Sequence, residues 1–256
     1  MTDTSDATKR FTKRAEFYAR HRPSYPEEMF VFLRTEVRLE STHVIADLGS
    51  GTGILSEPFL RRGHTVYGVE PNGEMRAAAE TALESRDRFQ SVNGTAEATG
   101  LETSSIDLAV AGQAFHWFDP AKTHSELRRI LKPSGRCALI WNDRLTDTSP
   151  FQIDYEQFLS TWGTDYDTVR ATYENLDAIA TVLGAGYTRT VFSNRQVLNR
   201  EGLRGRVLSS SYIPQAADPR SDKMLEALDA LFAEHQENGL VQIDYNTKLY
   251  LGSVRE

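Results

Sequence analysis

A glycine-rich turn carries the clearest chemical signal in the sequence. Asp47-Leu48-Gly49-Ser50-Gly51-Thr52-Gly53 completes a short apolar run typical of a buried strand and precedes a segment with helical periodicity. Glycines let the backbone approach a ligand closely, and the first turn of a helix presents free N–H groups. The segment therefore predicts a cofactor-binding loop between a strand and a helix.

The acid ahead of these glycines narrows the choice of cofactor. Dinucleotide-binding loops favour the spacing G-x-G-x-x-G, with a pyrophosphate at the helix N-terminus, whereas here Gly53 comes one residue early. Asp47 stands two residues before Gly49, and a carboxylate beside a pyrophosphate would be a clash of like charges. S-adenosylmethionine has no phosphate and carries an ammonium and a sulfonium, so Asp47 favours it over NAD.

A second acid is placed to bind a ribose. Glu70 follows the apolar run 65–69, about twenty residues beyond the glycine loop, where an acid accepts hydrogen bonds from both ribose hydroxyls. Nicotinamide-binding folds use an acid at the same place, so Glu70 predicts an adenosine ligand without choosing between the cofactors. A surface acid at a strand end is the alternative.

These motifs, in this order, resemble those of class I S-adenosylmethionine-dependent methyltransferases. The resemblance runs from 44 to 144 and includes the turn Leu131-Lys132-Pro133-Ser134-Gly135, which is similar to the family's LKPGG. It is closest in character to the large group that includes ubiquinone-biosynthesis and trans-aconitate methyltransferases. The resemblance implies a Rossmann-like fold and methyl transfer from S-adenosylmethionine.

The resemblance also implies which residues contact the cofactor. Those expected at its methionine end are Asp47, Gly49, Ser50, Gly51, Gly53, Gln113 and Ala114. Those expected around its adenosine are Glu70, Pro71, Asn72 and Met75, with Thr95, Ala96 and Glu97 bordering the adenine.

The amino-terminal segment resembles a family stretch that folds over the cofactor. On that resemblance, Tyr18, Arg22 and Tyr25 close the methionine end, with Arg22 facing the cofactor's carboxylate. The segment is locally basic, and a solvated basic surface is the alternative.

Residues near the expected cleft mouth are candidates for the chemistry itself. His116 follows the fourth apolar run, and an ordinary imidazole pKa suits proton removal near neutral pH, so His116 is a candidate general base. Packing against the cofactor or capping the next helix is the alternative. Trp117 and Arg144 are candidate substrate contacts. Four aromatics at helical spacing either line a pocket or belong to the core: Tyr155, Phe158, Trp162 and Tyr166.

Strands and helices alternate along the first part of the chain. We expect strands over 44–48, 65–69, 89–92, 106–111 and 136–141, with helices ending near Arg62 and covering 74–85 and 120–131. This order predicts βαβ units in a doubly wound, mostly parallel sheet. Further on, we expect helices over 150–183 and 222–238 and strands over 188–198 and 245–251.

The predicted organisation has three parts within one structural domain. Residues 1–40 form an N-terminal helical cap, 41–145 the S-adenosylmethionine-binding core, and 146–256 complete the sheet and form a substrate lid. The predicted function is methyl transfer to oxygen, carbon or a carboxyl group of a small molecule. The alternatives are a non-catalytic S-adenosylmethionine-binding protein and a NAD-dependent oxidoreductase.

Composition sets the remaining expectations. The net charge of −7 makes a nucleic-acid partner a poor first choice. Cys137 is the only cysteine, which excludes an intramolecular disulfide, and the scattered histidines give no metal-ligand spacing. With no signal-peptide pattern and no apolar stretch of membrane-spanning length, we expect a cytoplasmic protein without a membrane partner. Its oligomeric state stays open.

Overall fold

A mixed β-sheet organises the chain. The structure is a computed structural model that describes residues 20–164, 166, 175–214 and 218–255. The strands of the described part are β1 Val44–Leu48, β2 Thr65–Val69, β3 Phe89–Val92, β4 Ile106–Gly112, β5 Leu131–Arg144, β6 Thr188–Leu198 and β7 Val241–Gly252.

The order of the strands is that of a doubly wound fold. It runs β3-β2-β1-β4-β5-β7-β6, with β1 to β5 parallel to their neighbours and β7 antiparallel to both β5 and β6. The predicted α/β, mostly parallel fold is confirmed. The strand order reverses between β1 and β4, and ligands of such sheets bind at the carboxyl ends of the strands near this point.

Helices cover both faces of the sheet. In the described part they are α1 Glu27–Val37, α2 Ser56–Arg61, α3 Gly73–Ala82, α4 Pro120–Ile130, α5 Pro150–Trp162, α6 Leu176–Leu183, α7 Arg200–Leu208 and α8 Ser221–His235, with a 3-10 turn at Phe115–Trp117. The Asp119 side chain caps α4 by accepting from the Lys122 N–H at 3.2 Å, and Pro120 opens this helix, which was predicted over 120–131. Across the described ranges, none of these helices has both the length and the apolar character to cross a membrane.

The core lies on both sides of the sheet because alternate strand residues face opposite ways. In β5, Cys137, Leu139 and Trp141 belong to one buried cluster, while Ala138 and Ile140 belong to the other. A third cluster joins α5, α7 and α8 to the start of β7. Cys137 is fully buried within β5, and burial raises the pKa of its thiol to about 12.

Several element ends differ from the prediction by a few residues, as at the start of β7, and three differences are larger. The turn predicted over 132–135 is a bulge within β5, since Ile106 pairs with Leu131 while Leu108 pairs with Arg136. The region predicted to be helical over 150–183 is interrupted, because α5 ends at Trp162, Gly163 and Thr164 are not helical, and α6 begins at Leu176. Helix α7 was not predicted.

Candidate functional site

A cavity of about 340 Å³ lies where the ends of β1, β4 and β5 meet, the place expected for this sheet. Its wall combines the glycine loop, the strand ends, an amino-terminal segment and residues of α7 and β7. The residues predicted from the sequence that line it are Arg22, Tyr25, Asp47, Gly49, Ser50, Gly51, Gln113 and Arg144. Tyr18 lies outside the described residues.

The glycine loop has a backbone that only glycine adopts readily. Gly49, Gly51 and Gly53 have φ values of +66°, +55° and +83°. A Cβ at Gly49 would also lie 2.6 Å from the Ala114 Cβ. Gly49 and Ala114, both predicted to contact the methionine end of the cofactor, are therefore close to each other. The Gly49 N–H donates to the Val69 carbonyl at 2.8 Å and ties the loop to β2. The loop is therefore held against the sheet by its own backbone.

Asp47 places a buried carboxylate beneath this loop. Its Oδ2 accepts a hydrogen bond from the Ser56 hydroxyl at 2.6 Å, while its Oδ1 is buried without a partner among the described residues. Burial raises the pKa of Asp47 to about 7, opposed by the Ser56 hydrogen bond and reinforced by the nearby charge of Glu70. Buried polar atoms normally have a partner, so Oδ1 is positioned for a donor, and a cation is the best one.

Glu70 is fixed at the end of β2 by two backbone N–H groups. Its Oε2 accepts from Gly51 at 3.0 Å and its Oε1 from Asn72 at 2.9 Å. Burial raises the pKa of Glu70. The hydrogen bonds from the Asn72 and Gly51 N–H groups and the charge of the nearby Arg76 each oppose this increase. Each carboxylate oxygen has a second acceptor position, so the group can still receive two hydroxyl donors.

The adenosine-side residues form a compact group around α3. Asn72 caps this helix by accepting from the N–H groups of Glu74 and Met75. A Cβ on Gly51 would lie 3.3 Å from the Met75 methyl, which places Met75 next to the glycine loop. Pro71, between Glu70 and Asn72, does not line the described cavity.

The predicted adenine border lies one strand further out. Thr95 forms a β-bridge with Ala98, Ala96 is buried, and Glu97 accepts from the Asp119 N–H at 2.8 Å. None of Thr95, Ala96 and Glu97 lines the described cavity. Their contact with adenine stays a prediction.

Several other buried polar atoms at this cavity resemble Oδ1 of Asp47, because they also have no hydrogen-bond partner among the described residues. The Thr52 hydroxyl, the Trp141 indole N–H and Nη1 of Arg144 are buried without a hydrogen-bond partner among the described residues. All three residues line the cavity. Because native proteins satisfy nearly all buried polar atoms, this concentration indicates a polar ligand.

The amino-terminal segment 22–25 forms part of the cavity wall and is held there by hydrogen bonds to residues distant in the sequence. Arg22 donates to the Ser209 carbonyl at 2.9 Å. The Ser24 carbonyl accepts from the side chains of Asn142 and Asn194, at 3.1 and 2.8 Å. The Tyr25 hydroxyl occupies the space beside Gly112 that a side chain there would need.

Charged and aromatic groups form the carboxyl-terminal wall. Arg144, predicted as a substrate contact, donates through Nη2 to both Glu156 and the Tyr166 hydroxyl. Its guanidinium also lies 5.1 Å from the centroid of the Tyr155 ring. The charge of Arg144 is thus balanced by Glu156 within the protein.

The four aromatics at helical spacing divide between core and cavity. Tyr155 and Phe158 are buried in the third cluster and Trp162 packs against it. Tyr166 lines the cavity together with Tyr212, and their ring centroids are 5.0 Å apart.

The structure adds cavity residues that the sequence did not indicate. Among them are Asn142 and Asp143 near the end of β5, Arg206 on α7, and Lys248 on β7. Nothing in the local sequence marks Arg206, because its burial depends on residues far away in the chain. The two polar residues Asn142 and Asp143 follow one another near the end of an apolar strand, and this was the local sequence signal that could have indicated them as cavity residues.

His116 and Trp117 lie apart from this wall. Both belong to the 3-10 turn after β4, with ring centroids 4.8 Å apart, and neither lines the described cavity. Burial lowers the pKa of His116 to about 4, so the ordinary imidazole pKa on which the prediction rested does not hold. The role of His116 as a base and of Trp117 as a substrate contact stay predictions.

Comparison with known proteins agrees with this geometry. Residues 46–139 match the family described as a methyltransferase domain. A protein of Mycobacterium bovis named as an uncharacterised methyltransferase is 39% identical over 127 residues, which is 50% of this chain and 49% of that protein. The chain thus aligns with about half the length of such a relative.

Solved structures share the fold. A candidate type II methyltransferase from Anaeromyxobacter dehalogenans matches with a TM-score of 0.67 at 20% identity, over 91% of this chain and 98% of that one. An S-adenosylmethionine-dependent methyltransferase from Geobacter sulfurreducens, in complex with S-adenosyl-L-homocysteine, matches with a TM-score of 0.54 at 18% identity, over 95% and 96%.

The strand order and the flanking helices are those of the class I, Rossmann-like methyltransferase fold. Residues 46–139 match a methyltransferase domain, and the resemblance seen in the sequence is confirmed at that level. The narrower similarity to the ubiquinone-biosynthesis and trans-aconitate group is not confirmed.

S-adenosylmethionine, the methyl donor of this class, fits the residues present. The buried Oδ1 of Asp47 suits its ammonium, and the fixed carboxylate of Glu70 suits two ribose hydroxyls. Gly49 and Gly51 present backbone to the cavity without side chains.

Proposed function

We propose that this protein transfers the methyl group of S-adenosylmethionine to a small-molecule acceptor bound in the cavity. The observation that carries the proposal is the buried Oδ1 of Asp47, which has no partner among the described residues and lies beneath a cavity-lining glycine loop. An ammonium is the donor that such an oxygen favours.

The chain's own residues would act by positioning. S-adenosylmethionine supplies a methyl carbon activated by sulfonium: the acceptor's electron pair bonds to that carbon, the carbon–sulfur bond breaks, and its electrons stay on sulfur. Asp47 binds the ammonium end, Glu70 binds the ribose, and the glycine loop allows close approach of the backbone. Alignment of the two reactants in a closed cavity is worth roughly 7–11 kcal/mol.

The fate of the acceptor's proton separates acceptor classes. An alcohol or carbon acid must lose a proton during transfer, whereas a carboxylate is already ionised at neutral pH. The described part of the cavity wall contains no histidine, and Asp143 pairs with Lys248 at 2.9 Å. These observations favour an acceptor that needs no dedicated base.

Two alternatives remain to be tested against this proposal. A NAD-dependent oxidoreductase would place a pyrophosphate near the Asp47 carboxylate, at an electrostatic cost. A non-catalytic cofactor-binding protein would bind S-adenosylhomocysteine but turn nothing over.

Calorimetry and a labelled-methyl assay distinguish the three. We expect S-adenosylhomocysteine to bind and NAD not to bind, and labelled methyl to move from S-adenosylmethionine into a small-molecule metabolite pool. Tight NAD binding without S-adenosylhomocysteine binding would establish the oxidoreductase reading instead.

A further inference from the structure

Arg206 brings a buried positive charge to the cavity wall, and it has no acidic partner in the described part of the chain. The side chain is 6% exposed and lines the cavity from α7. Its Nη1 donates to the Ser210 hydroxyl at 3.0 Å and its Nε to the Tyr245 hydroxyl at 3.4 Å. Among the described residues, no carboxylate is within hydrogen-bond reach of this guanidinium, and a guanidinium stays charged throughout the accessible pH range.

The partners of Arg206 are themselves fixed by other side chains. The Tyr245 hydroxyl donates to Oε1 of Gln196 at 3.3 Å, which leaves its oxygen to accept from Arg206. Tyr245 is itself almost wholly buried. The guanidinium is therefore held in place by neutral groups, and no described carboxylate pairs with its charge.

The other cationic groups of the wall are engaged differently. Arg144 pairs with Glu156, and Lys248 pairs with Asp143. Arg22 donates to a backbone carbonyl at the end of α7. A buried charge without a counter-charge is costly, and a bound anion would remove that cost.

We propose that Arg206 binds a carboxylate of the methyl acceptor, so that the substrate is a small organic acid. This inference rests on the proposed methyl transfer. A guanidinium presents N–H groups in a planar fork that matches a carboxylate. The rings of Tyr166 and Tyr212 on the same wall suit a flat or apolar body attached to that carboxylate.

The carboxylate of the cofactor's own methionine is the competing source of an anion. Arg206, Ser210 and Tyr245 all lie beyond residues 46–139, the methyltransferase domain that supplies Asp47 and Glu70. Arg22, which borders the glycine loop side of the cavity, is better placed for the methionine end. The acceptor is therefore the source that the structure favours.

The test compares an acid with its neutral amide on the full chain saturated with S-adenosylhomocysteine. Fluorine NMR titrations of 4-fluorobenzoate and 4-fluorobenzamide are run on the wild type, Arg206→Gln and Arg204→Gln. Arg204 is the matched control, because it lies on the same helix, loses the same charge, and pairs with Asp229 at the surface. Arg206→Lys is added as the variant that keeps the charge.

We expect the wild type and Arg204→Gln to prefer the acid by roughly tenfold to a hundredfold, the range for hydrogen bonds to a charged group. Arg206→Gln should lose that preference, Arg206→Lys should retain part of it, and affinity for S-adenosylhomocysteine should change less than about threefold, well below the effect of losing a charged hydrogen bond.

Three results would overturn the inference. If the wild type does not bind 4-fluorobenzoate more tightly than 4-fluorobenzamide, the inference is overturned by that result alone, even if Arg206→Gln fails to fold. An Arg206→Gln variant that keeps the preference would exclude Arg206 as the anion site. A tenfold loss of S-adenosylhomocysteine affinity in that variant would assign Arg206 to the cofactor. Failure of the wild type to bind S-adenosylhomocysteine would instead refute the proposed function itself.

Discussion

The two sides of the cavity are built in different ways. The cofactor side is made largely of backbone: glycines with positive φ, and N–H groups that fix Glu70. The opposite side, where we propose that the acceptor binds, is made of side chains from distant segments, with Arg144 on β5, Arg206 on α7 and Lys248 on β7. A site made of backbone leaves a glycine pattern in the sequence, whereas a site assembled from side chains does not.

This difference separates the shared part of the protein from its specific part. The match to the methyltransferase domain covers residues 46–139 and stops before Arg144 and Arg206. It includes the glycine loop and Glu70, whereas the residues that we propose for acceptor binding lie beyond it. Changes on the two sides should accordingly have separable effects on cofactor affinity and turnover.

The largest expected effect is on the backbone-built side, at Gly49. In Gly49→Ala, a Cβ would lie 2.6 Å from the Ala114 Cβ at a φ of +66°, so the loop must move. The φ penalty alone is of order 1–3 kcal/mol, and with the steric contact we expect roughly a hundredfold loss of S-adenosylhomocysteine affinity by calorimetry.

Gly186→Ala is the matched control for this change. A Cβ at Gly186 would meet nothing within 4 Å, so affinity should be unchanged. Equal affinity in Gly49→Ala and Gly186→Ala, with both variants folded by circular dichroism, would contradict the role of the loop.

The next effect concerns Glu70 on the same side. Glu70→Ala removes two hydrogen-bond acceptors for the ribose and should weaken S-adenosylhomocysteine binding by roughly 1–3 kcal/mol. Glu80→Ala, at an exposed position on the neighbouring helix α3, should bind like the wild type. If the two variants bind equally well in calorimetry, Glu70 is only a structural acid.

A smaller effect is the pH dependence of cofactor binding. The pKa of Asp47 near 7 means that its carboxyl is increasingly protonated as the pH falls below 7, and the bound ammonium requires the ionised form. Affinity for S-adenosylhomocysteine should therefore fall between pH 7 and 5, by at most about tenfold per pH unit.

The variants Asp47→Asn and Glu70→Gln show which of the two carboxyl groups causes the pH dependence of S-adenosylhomocysteine affinity. Glu70 also has a raised pKa and acts in the same direction, so it must be examined separately. The slope should flatten mainly in Asp47→Asn, which should also bind more weakly at pH 7. An unchanged slope in that variant would remove Asp47 from the binding equilibrium.

The smallest expected effect is at His116. Its pKa of about 4 and its position off the described cavity wall make it a poor proton acceptor near neutral pH. His116→Ala should change turnover by less than about tenfold, whereas removal of a general base would cost roughly 10²–10⁴. A larger loss with intact cofactor binding would restore His116 as the base. Loss of cofactor binding would indicate packing.

The sequence predicted the elements around the glycine loop well because their signals are local. Strands β1, β2 and β3 have the predicted boundaries, and the cap of α4 by Asp119 follows from its Asp-Pro pair. The glycine spacing predicted the loop because positive φ values demand glycine. These features depend on neighbours within a few residues.

Helix α7 shows why the acceptor side was missed. Gly202 and Gly205 lower its helix propensity, so the segment did not indicate a helix. The reason for Gly205 is tertiary, because the ring of His21 occupies the space that a side chain there would need. The burial of Arg206 on the same helix likewise depends on Tyr245, 39 residues away. No local pattern records such contacts.

The most direct test of the central claim is transfer of labelled methyl from S-adenosylmethionine to a small-molecule pool fractionated by charge. The account predicts label in the low-mass products of pool fractions rich in organic acids, and none with Asp47→Asn at a cofactor concentration that saturates only the wild type. S-adenosylmethionine bound by the wild type with no label transferred to any fraction would contradict it.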